Sequence, residues 1–270
     1  MNRLSQGHLN LLASCPRKFQ HVFLDRLQSP PPTAQQERLE WGNRFHRLMQ
    51  QRELGLPLEG LLAAEPQLSE ALTASLSAIQ AADPAAIGHG EATAQHWRAA
   101  EHTRTLCLEG ASAGGDGEVV LLTVIYDLLI VEPQRARILD WKTYAQPQQA
   151  VRLASDWQTR LYLYVLAETS DFSPAQLSMT YWFVRPPNRP QSTTIPYDAD
   201  RHAATHRDLI HLRADLAART VAYRDRGEPF PQVPLPSQLC QSCQFSNRCQ
   251  RALATTDWAA AMEAAPEISL

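Results

Sequence analysis

Two carboxylates and one lysine lie close together in a stretch with strand character. Asp140 and Lys142 are two residues apart within the segment 136–143, and Asp127 lies in the apolar segment 118–131 that precedes it. Residues two apart on a β-strand project from one face, roughly 6.6 Å apart along the chain. Two carboxylates can hold a hard divalent cation through oxygen, and a nearby ammonium can stabilise charge that develops on phosphate. These residue types therefore predict metal-assisted hydrolysis of a phosphodiester bond.

The basic side chains are almost all arginines. Lys and Arg together number 25, and only Lys18 and Lys142 are lysines. A guanidinium and an ammonium differ in shape, in hydration and in how readily their pKa shifts. In a chain that otherwise uses arginine, Lys142 is expected at a position where an ammonium is needed.

A second set of candidate ligands consists of cysteines. The chain has five, namely Cys15, Cys107, Cys240, Cys243 and Cys249. The last three form a C-x2-C-x5-C pattern. In a cytosolic protein, clustered cysteines are metal ligands more often than disulfides, and four thiolates can hold Zn²⁺ or a [4Fe–4S] cluster. Cys107, between two leucines, is expected to be a small buried side chain instead.

The apolar pattern divides the chain into helices and strands. Helices are predicted at 5–27, with an interruption at Pro16, and at 35–53, 57–83, 147–169, 198–226 and 255–265. Strands are predicted at 91–98, 103–109, 118–131, 136–143 and 177–185, with a glycine-rich turn at 110–117. This order predicts an α/β fold in which helices flank a central mixed β-sheet.

The bulk composition is that of an ordinary globular protein. The chain has 270 residues, 44% hydrophobic and 20% charged, and a formal net charge of −3. This charge argues against a general nucleic-acid coat, but a local basic groove can coexist with an acidic metal site. No apolar run approaches the length of a membrane span, and the N-terminus has no signal-peptide pattern. A cytoplasmic protein without a membrane partner is therefore expected.

Four short motifs follow one another in a defined order. They are Gly42-Asn-Arg-Phe-His46, Tyr126-Asp127-Leu128, Ile138-Leu-Asp140-Trp-Lys142-Thr143 and Gln158-Thr-Arg-Leu-Tyr162. This series resembles the PD-(D/E)XK nuclease superfamily, in particular its RecB-like members. The resemblance implies a restriction-endonuclease-like core and a nuclease that depends on Mg²⁺ or Mn²⁺.

The same resemblance implies roles for individual residues. It makes His46, Asp127 and Asp140 the metal ligands, and Lys142 the residue that positions the attacking water or the scissile phosphate. Gln158 and Tyr162 would lie beside the active site. The backbone carbonyl of Trp141 is a further candidate ligand, with its side chain on the opposite face of the sheet.

The cysteines carry a second resemblance. Cys15, followed by Pro-Arg-Lys-Phe, together with Cys240, Cys243 and Cys249 is similar to the iron–sulfur staple of the AddB subunit and of CRISPR-associated RecB-like exonucleases. The resemblance implies a structural [4Fe–4S] cluster, with Zn²⁺ as the alternative occupant. Closing the long loop between Cys15 and Cys240 costs roughly 5 kcal/mol of chain entropy, and ligation of the cysteines can offset this cost.

Three regions and one main function are predicted together. Residues 1–86 are expected to form an N-terminal helical region, 87–226 the nuclease core, and 227–270 the C-terminal iron–sulfur segment. The expected activity is metal-dependent DNA hydrolysis, as an exonuclease on single strands or DNA ends, in repair, recombination or CRISPR adaptation, with a helicase or a CRISPR or repair protein as partner. The alternative is a non-catalytic iron–sulfur DNA-binding subunit of a helicase–nuclease complex.

Each candidate residue also has an ordinary structural explanation. Asp127 could be a surface carboxylate at a strand end, and Asp140 and Lys142 could form an exposed ion pair. His46 could be a helical histidine without a ligand, and Tyr162 could pack in the core.

Overall fold

The structure is a computed structural model, and it is described for residues 3–27, 33–82, 84, 96–108, 119–144, 147–184, 190–241 and 243–251. The glycine-rich turn predicted at 110–117 and the helix predicted at 255–265 lie outside these residues. The chain divides into two units, of which the first is Met1–Asn10 with Pro31–Ala218 and the second is Leu11–Pro30 with Arg219–Leu270. The division into three regions that the sequence predicts remains a prediction.

Nine α-helices and six strands account for most of the described residues. The helices are α1 Gln6–Ser14, α2 Pro16–Phe19, α3 Thr33–Glu53, α4 Glu59–Ala64, α5 Pro66–Ala82, α6 Ala150–Ser155, α7 Trp157–Glu168, α8 Ala199–Arg226 and α9 Gln238–Gln241. A π-helix spans Gln20–Leu24 and a 3₁₀ turn spans Pro174–Gln176. The strands are β1 Arg3–Leu4, β2 Trp97–Leu108, β3 Val120–Glu132, β4 Arg135–Lys142, β5 Leu177–Phe183 and β6 Gln191–Pro196.

The first unit is built on a mixed six-stranded sheet. Strand order is β1-β3-β4-β5-β6, and β2 pairs with β3. The pairs β1–β3 and β4–β5 are parallel, whereas β2–β3, β3–β4 and β5–β6 are antiparallel. The α/β fold with a central mixed sheet, predicted from the order of elements, is confirmed.

Helices cover the sheet by burying apolar side chains. An apolar cluster joins α3 and α5 to the strands, and its members are Phe45, Leu48, Met49, Leu68, Leu72, Ile79, Leu128, Ile130, Leu139, Trp141, Trp182 and Val184. Helix α7 contacts β2, β3 and β5. Because alternate residues of β4 and β5 reach α7 instead of this cluster, α7 lies on the opposite face of the sheet.

Some predicted elements differ from those observed. The strands predicted at 91–98 and 103–109 fall partly outside the described residues, and their described parts belong to one strand, β2, that runs through residues 99–102. Cys107 on this strand is exposed, so the prediction of a buried thiol is wrong. Strand β6 was not predicted, because only Ile195 of its residues is buried and the segment is otherwise polar.

The helix predicted at 147–169 is two helices, α6 and α7, separated at Asp156. Asp156 has an extended backbone, and its carboxylate accepts a hydrogen bond of 2.7 Å from the backbone N–H of Gln158. Aspartate is a favoured N-cap because it satisfies a backbone donor that the helix itself leaves free. This cap fixes the start of the helix that carries Gln158 and Tyr162.

The second unit brings together residues from both ends of the chain. The rings of Phe19 and Phe230 stack at 6.3 Å. Arg17 Nε donates to the Phe230 carbonyl at 2.6 Å, and Gln20 Oε1 accepts from the Phe230 backbone N–H at 2.8 Å. The interruption predicted at Pro16 is confirmed, since α1 ends at Ser14 and α2 begins at Pro16.

No helix of the described residues is both long and apolar enough to cross a membrane.

Candidate active site

Three carboxylates lie in one row across three neighbouring strands. The pairs Ala100–Leu128 and His102–Tyr126 place Glu101 across from Asp127. On the other side of β3, pairing with β4 ends at Leu128–Leu139. The next position in that register would place Asp140 across from Asp127, so the two strands separate where the acids stand. The row is Glu101, Asp127 and Asp140.

The backbone at Glu101 is unusual for a strand residue. Its φ is +50°, a left-handed conformation that is uncommon for a residue with a side chain. Burial and the nearby Asp127 carboxylate raise the pKa of Glu101. The surroundings therefore disfavour the negatively charged form of Glu101. A bound cation would stabilise that form.

Helix α3 delivers His46 to this row. Its Nδ1 lies 3.3 Å from Asp127 Oδ2, and the same oxygen accepts a hydrogen bond of 2.8 Å from the backbone N–H of Trp141. Burial alone would lower the pKa of His46, but Asp127 and then Asp140 raise it overall. The indole of Trp141 packs in the apolar cluster on the α3 face, as predicted from the sequence.

Asp140 is buried and held by two side chains. Lys142 Nζ lies 2.7 Å from Asp140 Oδ2, while Gln158 Nε2 donates to Asp140 Oδ1. Gln158 also accepts a hydrogen bond of 2.6 Å from Lys142 Nζ through Oε1. Burial, followed by the Asp127 charge, raises the pKa of Asp140. Burial lowers the pKa of Lys142, but the neighbouring Asp140 outweighs it, so the ammonium form is favoured.

Tyr162 of α7 and Tyr181 of β5 lie on the α7 side of the site. Tyr162 lines the cleft beside Asp127 and is almost fully buried, and the Tyr162 hydroxyl is hydrogen-bonded to Gln158. The backbone carbonyl of Tyr162 accepts a hydrogen bond of 3.1 Å from Tyr126 OH, and the two rings meet edge-on. Lys142 Nζ lies 5.1 Å from the ring centroid of Tyr181. The ammonium is thereby kept at one place between β4 and α7.

The donor atoms suit a divalent cation. One ligand atom from each of His46, Glu101 and Asp127 lies within 4.8 Å of the others, and within the described part of the chain this is the one such group. Carboxylate oxygen and imidazole nitrogen together suit ions such as Mn²⁺, and carboxylate oxygens suit Mg²⁺. Asp140 stands outside this group. Among the described residues, Lys142 is the sole partner of Asp140 Oδ2.

Glu101 is the site residue that the sequence interpretation missed. It falls in 99–102, which was assigned to no strand, because glutamate is depleted in strands and two alanines precede it. A signal was nevertheless present. Extending the strand predicted at 103–109 backwards by two residues opposite β3 would have aligned Glu101 with Asp127.

A cleft of about 480 Å³ opens in front of the acids. Helix α3 forms one wall with Arg38, Leu39, Gly42, Asn43, His46, Arg47 and Gln50, and the facing wall includes Glu101, Ile125, Asp127, Thr143 and Tyr162. Arg38, Asn43 and Arg47 are exposed. Arg44 does not line this cleft, since it forms an exposed ion pair with Glu65 at 3.0 Å.

The second unit contains a cavity of about 70 Å³ lined by four thiols. They belong to Cys15, Cys240, Cys243 and Cys249, the cysteines predicted as ligands. Burial raises the pKa of Cys249, Arg17 lowers it, and the other three sulfurs raise it further, so all four thiols are near neighbours. Soft thiolate donors in this number fit a zinc ion or an iron–sulfur cluster.

The fold and the acidic row define a restriction-endonuclease-like α/β protein with a candidate divalent-metal site. A family model described as the PD-(D/E)XK nuclease superfamily matches residues 3–250. The chain belongs to this superfamily of nucleases. No curated protein matches the sequence.

The solved structures that are similar to this chain include the following two. A protein from Eubacterium rectale, described as a "Putative exonuclease", is 13% identical, with a TM-score of 0.53 and coverage of 98% of this chain and 94% of that one. It supports the fold. The structure of SSO0001 is 12% identical, covering 94% of this chain and 88% of that one, but its TM-score of 0.39 supports no argument.

Gly42 allows the close approach of α3 to the end of β4. A Cβ added there would lie 2.9 Å from Thr143 Oγ1. We expect Gly42→Ala to lower the free energy of unfolding by roughly 1–3 kcal/mol through overpacking. In a Thr143→Ala background the same change should be neutral, or stabilising by about 0.5–1 kcal/mol. Urea unfolding of the four proteins measures this coupling.

Gly60 of α4 is the matched control, because a Cβ there would meet nothing within 4 Å. Gly60→Ala should not destabilise either background. Equal effects of Gly42→Ala with and without the Thr143 hydroxyl would contradict a tight contact at this point.

Proposed function

We propose that this protein is a metal-dependent DNA nuclease, acting as an exonuclease on single strands or DNA ends. The observation that carries the proposal is the row Glu101–Asp127–Asp140 with Lys142 and Gln158 beside it. Membership of the nuclease superfamily supports hydrolysis, and the description of the Eubacterium rectale protein supports the exonuclease assignment. We further propose that it acts in the cytoplasm, in repair, recombination or CRISPR adaptation, with a helicase as partner.

In the proposed site, residues from three strands and α3 would hold Mg²⁺ or Mn²⁺. His46, Glu101 and Asp127 would supply side-chain ligands, with Asp140 and the Trp141 carbonyl as further donors. When bound, the cation would polarise the phosphate and activate water for attack.

The remaining side chains orient and stabilise. Lys142 places its ammonium where charge develops on the phosphate, and such fixed charges are usually the largest contribution to catalysis of this kind. Gln158 holds both Asp140 and Lys142, so it keeps the two ionic groups in one geometry. Tyr162 fixes α7 at the cleft and presents its ring edge to the substrate.

The cleft chemistry favours a nucleic-acid strand as substrate. Arg38 and Arg47 carry charge on an exposed wall facing the acids. Leu39 and Ile125 expose 51% and 44% of their surface beside them. A positively charged groove that follows the phosphates is one element of single-strand recognition, and the two aliphatic side chains offer apolar surface beside it.

For the second unit, we propose that the four thiols hold a structural [4Fe–4S] cluster, with Zn²⁺ as the alternative. The cavity that the four cysteines share supports a metal centre at this place. The cluster would supply cross-linking of chain segments, with no part in hydrolysis.

Removing Lys142 or the Asp140 charge should abolish cleavage. We expect Asp140→Asn and Lys142→Met to lower the rate on labelled single-stranded DNA with Mn²⁺ by roughly 10²–10³-fold or more. Asp171→Asn, which changes an exposed aspartate in the turn after α7, is the matched control and should cut normally. Wild-type protein that binds DNA without cutting it would support the non-catalytic subunit instead.

Glu101 should contribute to cation affinity. We expect Glu101→Gln to weaken Mn²⁺ binding roughly tenfold or more, because affinity follows the number of charged ligands. Titration calorimetry without DNA measures this directly, and Glu70→Gln on the exposed face of α5 is the control. Unchanged Mn²⁺ affinity would remove Glu101 from the ligand set and leave the other acids as candidates.

The arginines of α3 should contribute to binding through phosphates. We expect Arg38→Ala and Arg47→Ala each to weaken binding of labelled single-stranded DNA in EDTA. The slope of log K against log salt should become shallower by roughly 0.7 for each phosphate of a single strand that the variant no longer neutralises. Arg207→Ala, an exposed arginine of α8 outside the cleft, should change neither quantity. An unchanged slope for both cleft variants would contradict this groove.

A further inference from the structure

A histidine outside the active site contacts one of the four thiols. His21 of the second unit is buried, and its Nε2 lies 3.7 Å from Cys249 Sγ. The other ring nitrogen, Nδ1, lies 2.9 Å from Asp25 Oδ2. The imidazole therefore connects a carboxylate to a sulfur, with one nitrogen for each.

The carboxylate that contacts His21 is itself held in place. Tyr223 OH donates to Asp25 Oδ1 at 2.6 Å, and Gln20 Nε2 donates to Asp25 Oδ2 at 3.3 Å. Burial raises the pKa of Asp25, but these hydrogen bonds and His21 outweigh it and lower the pKa overall. Asp25 thus stays an acceptor that fixes the orientation of the ring.

The local backbone is adapted to this arrangement. Residues Gln20–Leu24 form a π-helix, and the Asp25 backbone N–H reaches the Gln20 carbonyl at 2.9 Å. Such turns are rare and are frequently found at functional sites. The His21 ring also packs against Phe245, with centroids 4.9 Å apart. The position of the His21 ring is therefore set by Asp25 at Nδ1 and by Phe245, which packs against the ring.

We propose that His21, oriented by Asp25, is a positioning residue for Cys249 at the cysteine centre. The inference rests on the proposed metal centre of the four thiols and holds for iron or zinc. In metal sites, partners of the ligands fix their orientation, and losing such a partner typically lowers metal affinity roughly 10–100-fold.

The test compares variants of the full chain purified without oxygen. Metal and sulfide content give the occupancy, and the rate at which a chelator removes iron, followed by visible absorption, gives the retention. We expect His21→Phe, which keeps a ring beside Phe245, to lose metal roughly 10–100-fold faster than wild type. His21→Gln, which keeps a polar group, should restore part of the retention, and Asp25→Asn should fall between wild type and His21→Phe.

Phe23→Leu is the matched control for general loosening of the unit. Phe23 belongs to the same π-helix as His21 and packs on Phe19, with ring centroids 5.0 Å apart, and like His21 it is not one of the residues that line the thiol cavity. It should lower thermal stability without accelerating metal loss. If His21→Phe and Phe23→Leu accelerate metal loss equally, the role of His21 is only structural and the inference fails.

The outcomes separate this inference from the metal centre on which it rests. Wild-type protein that holds neither iron nor zinc on its thiols would overturn the centre and the inference together. Wild-type protein with a full centre, and a His21→Phe variant that retains metal equally well, would overturn the inference alone.

Discussion

The buried contact between Asp140, Lys142 and Gln158 is the constraint on which the first unit depends. A carboxylate with almost no exposed surface is tolerated only when cations and donors surround it, and removing one partner of a buried ion pair typically costs about 3–5 kcal/mol. Gln158 meets this need from α7, whose start is fixed by the Asp156 cap. The position of α7 against β4 and the charge state of Asp140 are therefore parts of one arrangement. Tyr181, next to Asp140 on β5, extends it, because the hydroxyl of Tyr181 pairs with Thr159 on the same helix.

Around this contact, the pairing of the strands brings acids of like charge together. Antiparallel pairing brings Glu101 across from Asp127, and the separation of β3 from β4 leaves space where Asp140 would otherwise pair with it. Like charges on adjacent strands are destabilising. Burial, and then the neighbouring Asp127 charge, raises the pKa of both Glu101 and Asp140, so the like charges account for part of these shifts. A divalent cation would remove much of this repulsion, so the folded sheet is prepared for cation binding at the expense of its own stability.

Part of this site followed from the sequence and part did not. The spacing of Asp140 and Lys142 on one strand required no tertiary information, since strand periodicity alone places both on one face. Gln158 followed only from the order of motifs, because its contact joins residues 16 and 18 positions apart in different elements. Glu101 was missed since its position depends on the register between β2 and β3 and on a local left-handed backbone. Strand β6 was missed because a polar edge strand has no alternation of its own, and its pairing with β5 comes from the neighbouring strand.

The contacts within the second unit change the role that a metal centre on the cysteines would have. From the sequence, ligation by distant cysteines was expected to offset the entropy of closing a long loop. Contacts independent of any metal already join the same segments, including the bond from Arg17 to the Phe230 carbonyl, which spans 213 positions, and that from Tyr223 to Asp25. Each hydrogen bond contributes only about 1 kcal/mol, so together they can close the unit without making it rigid. Under this argument a metal centre on the cysteines would act mainly on the C-terminal segment that carries Cys243 and Cys249, whose described residues 243–251 form turns and no helix. That segment is also where His21 meets Cys249, with the imidazole ring already oriented by Asp25 before any metal binds.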